Sequence, residues 1–372
     1  MKKKFLVLIE DDWENMGNGY GNVADLQYLP SLAMMNIMDR YDAKMTFMVD
    51  VAHQFVLKEF SHIPEVRVQS RIWDESVMLM KERGFDVQLH LHPQWLGATY
   101  KDGMFYVDRE KWNIGLYEPA VVDKLVGESV DYLRNLLGKS FPDYSVCAFK
   151  AGSWGMQPSE HVLSAMERHG INLIMGVREG IFSENQGINY VGLEEPRLPY
   201  SPAMDDLTRI ATTPNNLTML PLQPYSPDLL TFGRLIADHY IGKYTTKERN
   251  NYYHLNGVPG SVRGLDPVSD KKNFSMGIKP YQTHLKIGRQ PFSYLKASFD
   301  SVIRELDRYD VERIPVVIES HTKQYHNHYA QIEKLIEYIA TKYHDCVEFG
   351  DMASLNREIQ QNPSMVKTHA VT

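Results

Sequence analysis

Four short segments of the chain combine acids, imidazoles or an ammonium group in patterns that suit metal binding or proton transfer. Carboxylates and imidazoles are the side chains that divalent ions and general acid–base catalysts use. The segments are Glu10-Asp11-Asp12, His90-Leu91-His92, Lys150 with the glycine-bearing turn that follows it, and Glu319-Ser320-His321. They are far apart in sequence, so the elements that precede them must bring them together.

The two histidines are spaced as metal ligands on one strand. Residues 86–92 read DVQLHLH, in which polar and apolar residues alternate, so His90 and His92 share a face. The strand rise separates their Cα atoms by about 6.5–7 Å, and one divalent ion can join both rings. A carboxylate from a neighbouring strand would complete a set of two histidines and one acid, with positions left for water or substrate.

Buried-strand patterns precede these segments and alternate with helical patterns. Strands are predicted at residues 5–9, 44–51, 86–92, 144–149, 171–175, 217–222, 314–318 and 347–349. Between them lie apolar repeats of helical spacing, for example at residues 332, 335, 336 and 339. This alternation predicts an α/β fold with a parallel sheet. About eight strands favour a closed or nearly closed barrel, in which chemistry lies at the carboxyl ends of the strands.

Two stretches interrupt the alternation and are predicted to be insertions in a single barrel that spans residues 1–360. Residues 96–119 are polar and aromatic, and residues 232–291 contain glycines, prolines and tyrosines with little periodicity. Long loops inside a compact domain are usually functional or disordered, and we expect both to wall the mouth at the strand ends. Residues 361–372 are expected to form a frayed tail.

Composition excludes several classes of protein. The 372 residues carry a net charge of −7, which provides no electrostatic footprint for nucleic acid or an anionic membrane. Two cysteines cannot form a disulfide scaffold. The apolar run at residues 5–9 is shorter than a secretory h-region of about 7–15 residues, and no run approaches the roughly 20 residues of a membrane span. A cytoplasmic protein is predicted, without nucleic-acid partner or membrane insertion.

Together these segments resemble the motifs of the polysaccharide deacetylases, the carbohydrate esterases with a NodB homology domain. Residues 9–13 are similar to the family's strand-Thr-Phe-Asp-Asp-Gly motif, and residues 84–95 to Gly-His-Glu-Ile-Gly-x-His. Residues 150–155 resemble the arginine-bearing third motif, and residues 319–321 the last motif. The matches are scattered over residues 5–350 and resemble a divergent branch found with lipopolysaccharide and capsule genes.

The resemblance implies a distorted (β/α) barrel and a role for each motif. It makes Asp11 the general base, Asp12 a metal ligand and His321 the general acid. His90 corresponds to the first metal-binding histidine. Lys150 stands where the family has an arginine that contacts the catalytic aspartate, and we expect its charge to keep Asp11 ionised.

Several positions depart from the family pattern. The second metal-binding histidine of the family falls on Gln94, so either His92 or Gln94 is the third ligand, and we prefer His92 because imidazole suits zinc, cobalt or nickel. Lys150 lacks the planar fork of arginine. The aspartate that orients the acid histidine is hard to place, and Asp205 or Asp206 is our choice.

The sequence therefore predicts a metal-dependent hydrolase that removes an acetyl or formyl group from a sugar in surface-polysaccharide or lipopolysaccharide biosynthesis. One divalent ion, zinc before cobalt or nickel, would be the cofactor, and an acylated sugar the substrate. A walled mouth favours a nucleotide sugar, a lipid-linked sugar or a short oligosaccharide over the middle of a polymer. Two alternatives stay open: a degenerate barrel that only binds carbohydrate, and a hydrolase of a linear amide.

Overall fold

Eight strands pair into one sheet, and each of them falls on a predicted strand. The computed structural model describes residues 4–108, 110–213, 215–225, 233, 283–288, 290–321, 323 and 328–369. The strands of the sheet are β1 (Phe5–Trp13), β2 (Thr46–Asp50), β3 (Asp86–Leu91), β4 (Ala148–Ala151), β5 (Leu173–Met175), β6 (Thr218–Leu220), β7 (Ile314–Ser320) and β8 (Val347–Gly350). Strand β1 is longer than the predicted 5–9, and it includes the three acids.

The sheet curls into a half-barrel whose two end strands are β6 and β7. Its order is β6-β5-β4-β3-β2-β1-β7, with β8 beside the first half of β1, and all of these pairs are parallel. The side-chain amide of Gln223, just beyond β6, reaches across to β7. It donates to the carbonyl oxygen of Pro315 at 2.9 Å and accepts from the amide of Val317 at 3.0 Å. The predicted α/β barrel is confirmed.

Helices cover the outer face of the sheet. The described α-helices are α1 (Leu29–Arg40), α2 (Val51–Glu59), α3 (Pro64–Glu82), α4 (Pro119–Leu137), α5 (Glu160–Arg168), α6 (Phe292–Leu306), α7 (Tyr329–Lys342) and α8 (Met352–Gln361). Their buried faces follow the apolar spacing, as in α7, where residues 332, 335, 336 and 339 are buried. Among the helices that the structure describes, none has the length and apolar character needed to cross a membrane.

Because side chains alternate along β1, this strand contributes to two apolar cores, and its carboxyl end contributes to a polar end of the barrel. Leu6 and Leu8 of β1 face the barrel interior, in a small cluster that also includes apolar residues of α8. Val7 faces the layer between the strands and the helices. Farther along β1 the inward positions become acidic at Glu10 and Asp12, both buried. The interior is therefore apolar at the amino end of β1 and charged at its carboxyl end.

Residues 96–119 flank the carboxyl ends of the strands. They form a hairpin of Thr99–Lys101 and Met104–Tyr106, followed by a short turn at Ile114–Leu116. In the loop after β1, a Cβ on Gly19 would come within 2.2 Å of the carbonyl oxygen of Phe105, so the two backbones are in close contact. Of residues 232–291, all but 233, 283–288, 290 and 291 lie outside the described residues.

The residues after α8 are packed rather than frayed. Met365 is buried in the interior cluster. The amide of Lys367 donates to the carbonyl oxygen of Pro199 at 2.8 Å, and its own carbonyl accepts from Ser201 at 2.9 Å. The expectation of a frayed tail is therefore wrong for residues 362–369, because they bury apolar surface and pair with the backbone of the barrel.

Candidate functional site

The inward positions at the carboxyl ends of five strands carry buried polar side chains. Side chains alternate along a strand, so these positions continue the inward face of each strand. The set comprises Glu10, Asp12 and Glu14 from β1 and its extension, Asp50 from β2, His90 and His92 from β3 and its extension, Lys150 from β4, and Glu319 with His321 from β7 and its extension. The fold thus brings the four sequence segments together at one end of the barrel.

Glu14, His90 and His92 form a group with the arrangement of metal ligands. The Nε2 atom of His90 lies 3.6 Å from Oε2 of Glu14, and Nε2 of His92 contacts the same oxygen. One potential ligand atom from each residue lies within 4.8 Å of the others. The Nδ1 atom of His90 lies 2.8 Å from the carbonyl oxygen of Lys150. Because a carbonyl only accepts, the His90 proton lies on Nδ1 and its Nε2 is free to ligate.

The donor set of this group fits one divalent ion. Among the described residues, neither Nε2 of His90 nor Oε2 of Glu14, both buried, has a hydrogen-bond partner of normal geometry. Buried polar atoms rarely lack a partner, and two acceptors directed at one point need a shared cation or donor. Two imidazoles and a carboxylate are ligands that suit zinc and related ions.

A second cluster surrounds Lys150. Its Nζ lies 2.7 Å from Oε1 of Glu10, 2.8 Å from Oδ1 of Asp12 and 2.9 Å from Oε1 of Glu319, and all four side chains are buried. An ammonium group has three N–H donors, which matches these three carboxylates. The Nε2 atom of His321 lies 3.2 Å from Oδ2 of Asp12. Asp12 is therefore held between an ammonium group and an imidazole.

Burial and these neighbouring charges shift the pKa values of the site. Burial disfavours the carboxylate of Asp12, but the charge of Lys150, helped by the nearby imidazoles, outweighs it and lowers the pKa of Asp12. Burial raises the pKa of Glu10 well above its usual value, although Lys150 opposes the shift. Burial, followed by the charge of Lys286, lowers the pKa of His321 to about 3. The imidazole of His321 is therefore neutral near pH 7.

Asp11, the predicted general base, faces away from this site. Successive side chains of a strand point to opposite faces, so Asp11 lies on the helix side between two inward acids. There it accepts a hydrogen bond from Oγ of Ser320 at 2.6 Å. Burial, followed by the charge of Asp11, raises the pKa of Tyr329 on α7. The predicted contact of Lys150 with the base is made with Asp12 instead. The role predicted for Asp11 is thus contradicted by the direction of its side chain.

The other predicted residues have the following positions. Asp12, predicted as a metal ligand, has one oxygen beside Lys150 and the other beside His321, whereas His90 and His92 meet at Glu14. Asp205 and Asp206, chosen as partners of His321, instead form ion pairs with Arg209. Those two choices do not hold, because the ion pairs of His321 are made with the acids of β1 and its extension.

Sequence reasoning missed three residues of this end of the barrel. Glu14 has a signal in the sequence, because acids occur at every second position from residue 10 to residue 14. Asp50 also continues an inward face, and its Oδ1 accepts from the backbone amide of His92 at 3.2 Å. His284 comes from the region predicted as the second insertion, and its Nε2 lies 2.5 Å from Oε2 of Glu319. No local pattern places His284 there.

The turn after β4 packs on the metal-ligand group. A Cβ on Gly152 would lie 2.6 Å from Nδ1 of His92, so the ring rests directly on the backbone of the turn. Ser153 and Trp154 both have left-handed φ angles, of 51° and 60°, which are uncommon outside glycine. The indole N–H of Trp154 donates to Oε1 of Glu319 at 3.1 Å. The turn therefore links the two clusters.

The architecture is that of the polysaccharide deacetylases. A solved structure of a candidate polysaccharide deacetylase from Mycobacterium smegmatis matches with a TM-score of 0.51 and 12% identity, over 100% of this chain and 95% of that chain. A second candidate polysaccharide deacetylase, from Pseudomonas aeruginosa PAO1, gives a TM-score of 0.46 at 12% identity, over 96% and 91% of the two chains. Puue allantoinase gives 0.47 at 12% identity, over 96% and 90%.

No protein-family model matches the sequence, and no curated protein matches it either. At an identity of 12% the structural likeness establishes the fold alone. The distorted barrel expected from the sequence motifs is therefore confirmed, and the chemistry has to be argued from the site.

Proposed function

We propose that this protein is a metal-dependent hydrolase that removes an acyl group from a sugar nitrogen. The observation that carries the proposal is the convergence of Glu14, His90 and His92 at the carboxyl end of the barrel. Three protein ligands leave positions open for water or substrate, as catalytic metal sites require. A buried carboxylate and an imidazole, Asp12 and His321, lie beside the ligands and supply groups for proton transfer.

Glu14, His90 and His92 would hold the ion, with zinc preferred over cobalt and nickel. When bound, a divalent ion polarises the acyl carbonyl and makes nearby water a stronger acid. The Nζ atom of Lys323 lies 2.5 Å from Oε1 of Glu14. Burial opposes ionisation of Glu14, but the imidazole of His92 and the charge of Lys323 hold its pKa well below the usual value. Its other oxygen, Oε2, is therefore available as a ligand.

Asp12 takes the role of general base in this proposal. Lys150 keeps it ionised, so it can accept the proton of the attacking water. His321, at 3.2 Å from Asp12, is placed to deliver a proton to the leaving nitrogen, which departs poorly as an anion. Because His321 is neutral before the reaction, the proton that it delivers is the one that Asp12 removes from water, passed to His321 across their 3.2 Å contact.

The fold and the mouth support the proposed substrate class. Polysaccharide-deacetylase architecture supports an N-acetyl or N-formyl sugar, and residues 96–119 flank the entrance. A walled entrance suits a nucleotide sugar, a lipid-linked sugar or a short oligosaccharide, in the synthesis of a surface polysaccharide or lipopolysaccharide.

Release of acetate or formate from a panel of acylated sugars tests the proposal. The panel comprises nucleotide sugars, short oligosaccharides, a long chitin-type polymer and a linear amide. We expect release from the small sugars, loss of release after chelation, and recovery on adding zinc, cobalt or nickel. Release that survives complete metal removal would contradict the mechanism, and faster turnover of the polymer interior would contradict the substrate class.

A carbohydrate-binding barrel without catalysis is the second candidate. The observation that favours it is the position of Lys150, which holds three carboxylates of the mouth in ion pairs. Calorimetric titration with the same sugars separates the two candidates. Binding by a metal-loaded protein without any release of acyl group would support the binding barrel.

A further inference from the structure

Gln94 contacts His92 on the ring nitrogen opposite the one that faces Glu14. The side-chain nitrogen of Gln94 lies 2.8 Å from Nδ1 of His92, and Nε2 of the same ring contacts Glu14. Gln94 is 1% exposed and His92 is 5% exposed. His92 thus has one buried partner on each nitrogen, and the proton on one nitrogen fixes the state of the other.

A neutral imidazole donates with one nitrogen and accepts with the other. With the NH2 group of Gln94 at Nδ1, the proton of His92 lies on Nε2 and points to Glu14. A metal ligand needs the opposite tautomer, with Nε2 free and the proton on Nδ1, where it requires an acceptor. The side-chain oxygen of Gln94 is buried and has no hydrogen-bond partner among the residues that the structure describes. A half-turn of the amide exchanges this oxygen with the nitrogen.

We propose that Gln94 is a positioning residue that serves both tautomers of His92. Its NH2 group donates to Nδ1 when the Nε2 proton faces Glu14, and its carbonyl accepts the Nδ1 proton when Nε2 binds a divalent ion. The ring carries one proton in both states, because the Nε2 proton is released to solvent and another arrives at Nδ1 from solvent. The inference rests on the metal site of the proposed function and does not depend on the substrate.

The contrast with His90 supports a special role for Gln94. The Nδ1 atom of His90 faces a backbone carbonyl, that of Lys150, which can only accept, so His90 remains in the ligating tautomer. Glutamine is both donor and acceptor, so the partner of His92 permits exchange. The same geometry settles the role of Gln94 within this proposal: it lies behind His92 and is not itself the third ligand.

Zinc affinity in variants of Gln94 tests the inference. Gln94→Glu offers only acceptor oxygens at Nδ1, and Gln94→Met fills a similar volume without a strong donor or acceptor. By competition with a chromophoric chelator, we expect Gln94→Met to bind zinc about 10–100-fold more weakly than the wild type. We expect Gln94→Glu to bind zinc at least as tightly as the wild type. Gln54→Met is the matched control, because Gln54 is also buried but bonds to Asp74 and Tyr132.

Nitrogen-15 correlation spectra of the imidazoles provide a readout that a general loss of structure would not produce. We expect the His92 proton on Nε2 without metal and on Nδ1 with zinc, whereas that of His90 stays on Nδ1. Unchanged zinc affinity in a folded Gln94→Met variant would overturn this inference alone, as would an Nδ1 proton on His92 before zinc is added. A wild-type protein that binds no zinc would overturn the proposed function as well.

Discussion

At the scale of single residues, the chemistry of the mouth depends on the alternation of β1. Asp11 and Asp12 are neighbours in sequence, but they lie on opposite faces of the sheet, toward the helices and toward the interior. The carboxylates that can act together are therefore two residues apart, at Asp12 and Glu14. This spacing divides the proposed roles between a base held by Lys150 and a metal ligand held by Lys323.

Replacing Asp11 and Asp12 one at a time with asparagine tests which face of β1 carries the general base. Asp12→Asn keeps the shape of the side chain and removes the base, so we expect kcat/KM for acyl release to fall about 10²–10⁴-fold. Asp11→Asn is the matched control, and we expect it to lose less than tenfold because its side chain faces α7. Rates of acetate or formate release measure both variants. A larger loss of kcat/KM in Asp11→Asn than in Asp12→Asn would indicate that Asp11 is the general base.

The metal content of two acid variants identifies the carboxylate ligand. Glu14→Gln removes the charged oxygen that faces both imidazoles, so we expect elemental analysis to find less than about a tenth of the wild-type metal after dialysis, because catalytic zinc sites rely on three protein ligands. Asp12→Asn is expected to retain metal, because its carboxylate lies beside Lys150. The reverse result, with metal lost from Asp12→Asn and kept in Glu14→Gln, would make Asp12 the ligand.

At the scale of elements, the carboxyl ends of neighbouring strands place the clusters side by side. In the register of the sheet, His90 of β3 lies opposite Asp50 of β2 on one side and opposite Lys150 of β4 on the other. Glu10 of β1 lies opposite Glu319 of β7. Parallel pairing keeps partners on the same face of the sheet, so residues that are distant in sequence converge without any long loop.

The turn after β4 gives a prediction at this scale. Gly152→Ala would place a Cβ about 2.6 Å from the His92 ring, which is too close, so the ring must move away from Glu14. We expect zinc affinity to fall at least tenfold, as for other losses of ligand support. Gly17→Ala serves as the control, since its Cβ would meet its nearest neighbour, Gln94, at an ordinary 3.8 Å. Equal zinc affinity in the two variants would show that the turn does not position His92.

At the scale of the whole molecule, ionisable groups are buried where the barrel meets its helices as well as at the mouth. His53 of α2 is fully buried, and its ring is stacked on that of Trp95 at a centroid distance of 4.4 Å. Neither ring nitrogen has a hydrogen-bond partner in the described part of the chain. Burial, followed by the charge of His92, lowers the pKa of His53 to about 3. In the unfolded chain a histidine titrates near 6.5.

The difference between the pKa of His53 in the folded chain and in the unfolded chain predicts that the protein loses stability in acid. Between about pH 6.5 and pH 3 the unfolded chain binds a proton at His53 that the folded chain excludes, so the free energy of unfolding decreases as the pH falls. One such proton contributes about 1.4 kcal/mol per pH unit. We expect His53→Phe to reduce the acid slope of the unfolding free energy, measured by urea denaturation between pH 6 and pH 4.5. An unchanged slope would mean that His53 becomes protonated in the folded protein.

The sequence by itself determined the strands and the location of the site. Periodicity and apolar runs are local properties, so they predicted all eight strands of the sheet, and the groups at the strand ends predicted a polar mouth. The spacing of His90 and His92 is likewise local, and the structure places both rings on one face. The sequence also has acids at every second position from Glu10 to Glu14. Because the predicted strand ended at Ile9, this spacing was not interpreted as one face of a strand.

Only the tertiary structure decided which acid meets which partner. Strand β1 continues to Trp13 because its second half pairs with β2 over residues 10–13, and that pairing forces Asp11 and Asp12 onto opposite faces. In a loop, both could have turned toward the metal. The three acids around Lys150 likewise depend on contacts between residues more than 100 positions apart, and His284 meets Glu319 across 35 positions. Local sequence carries no record of such contacts, because side-chain direction and strand register are fixed only when the whole barrel is assembled.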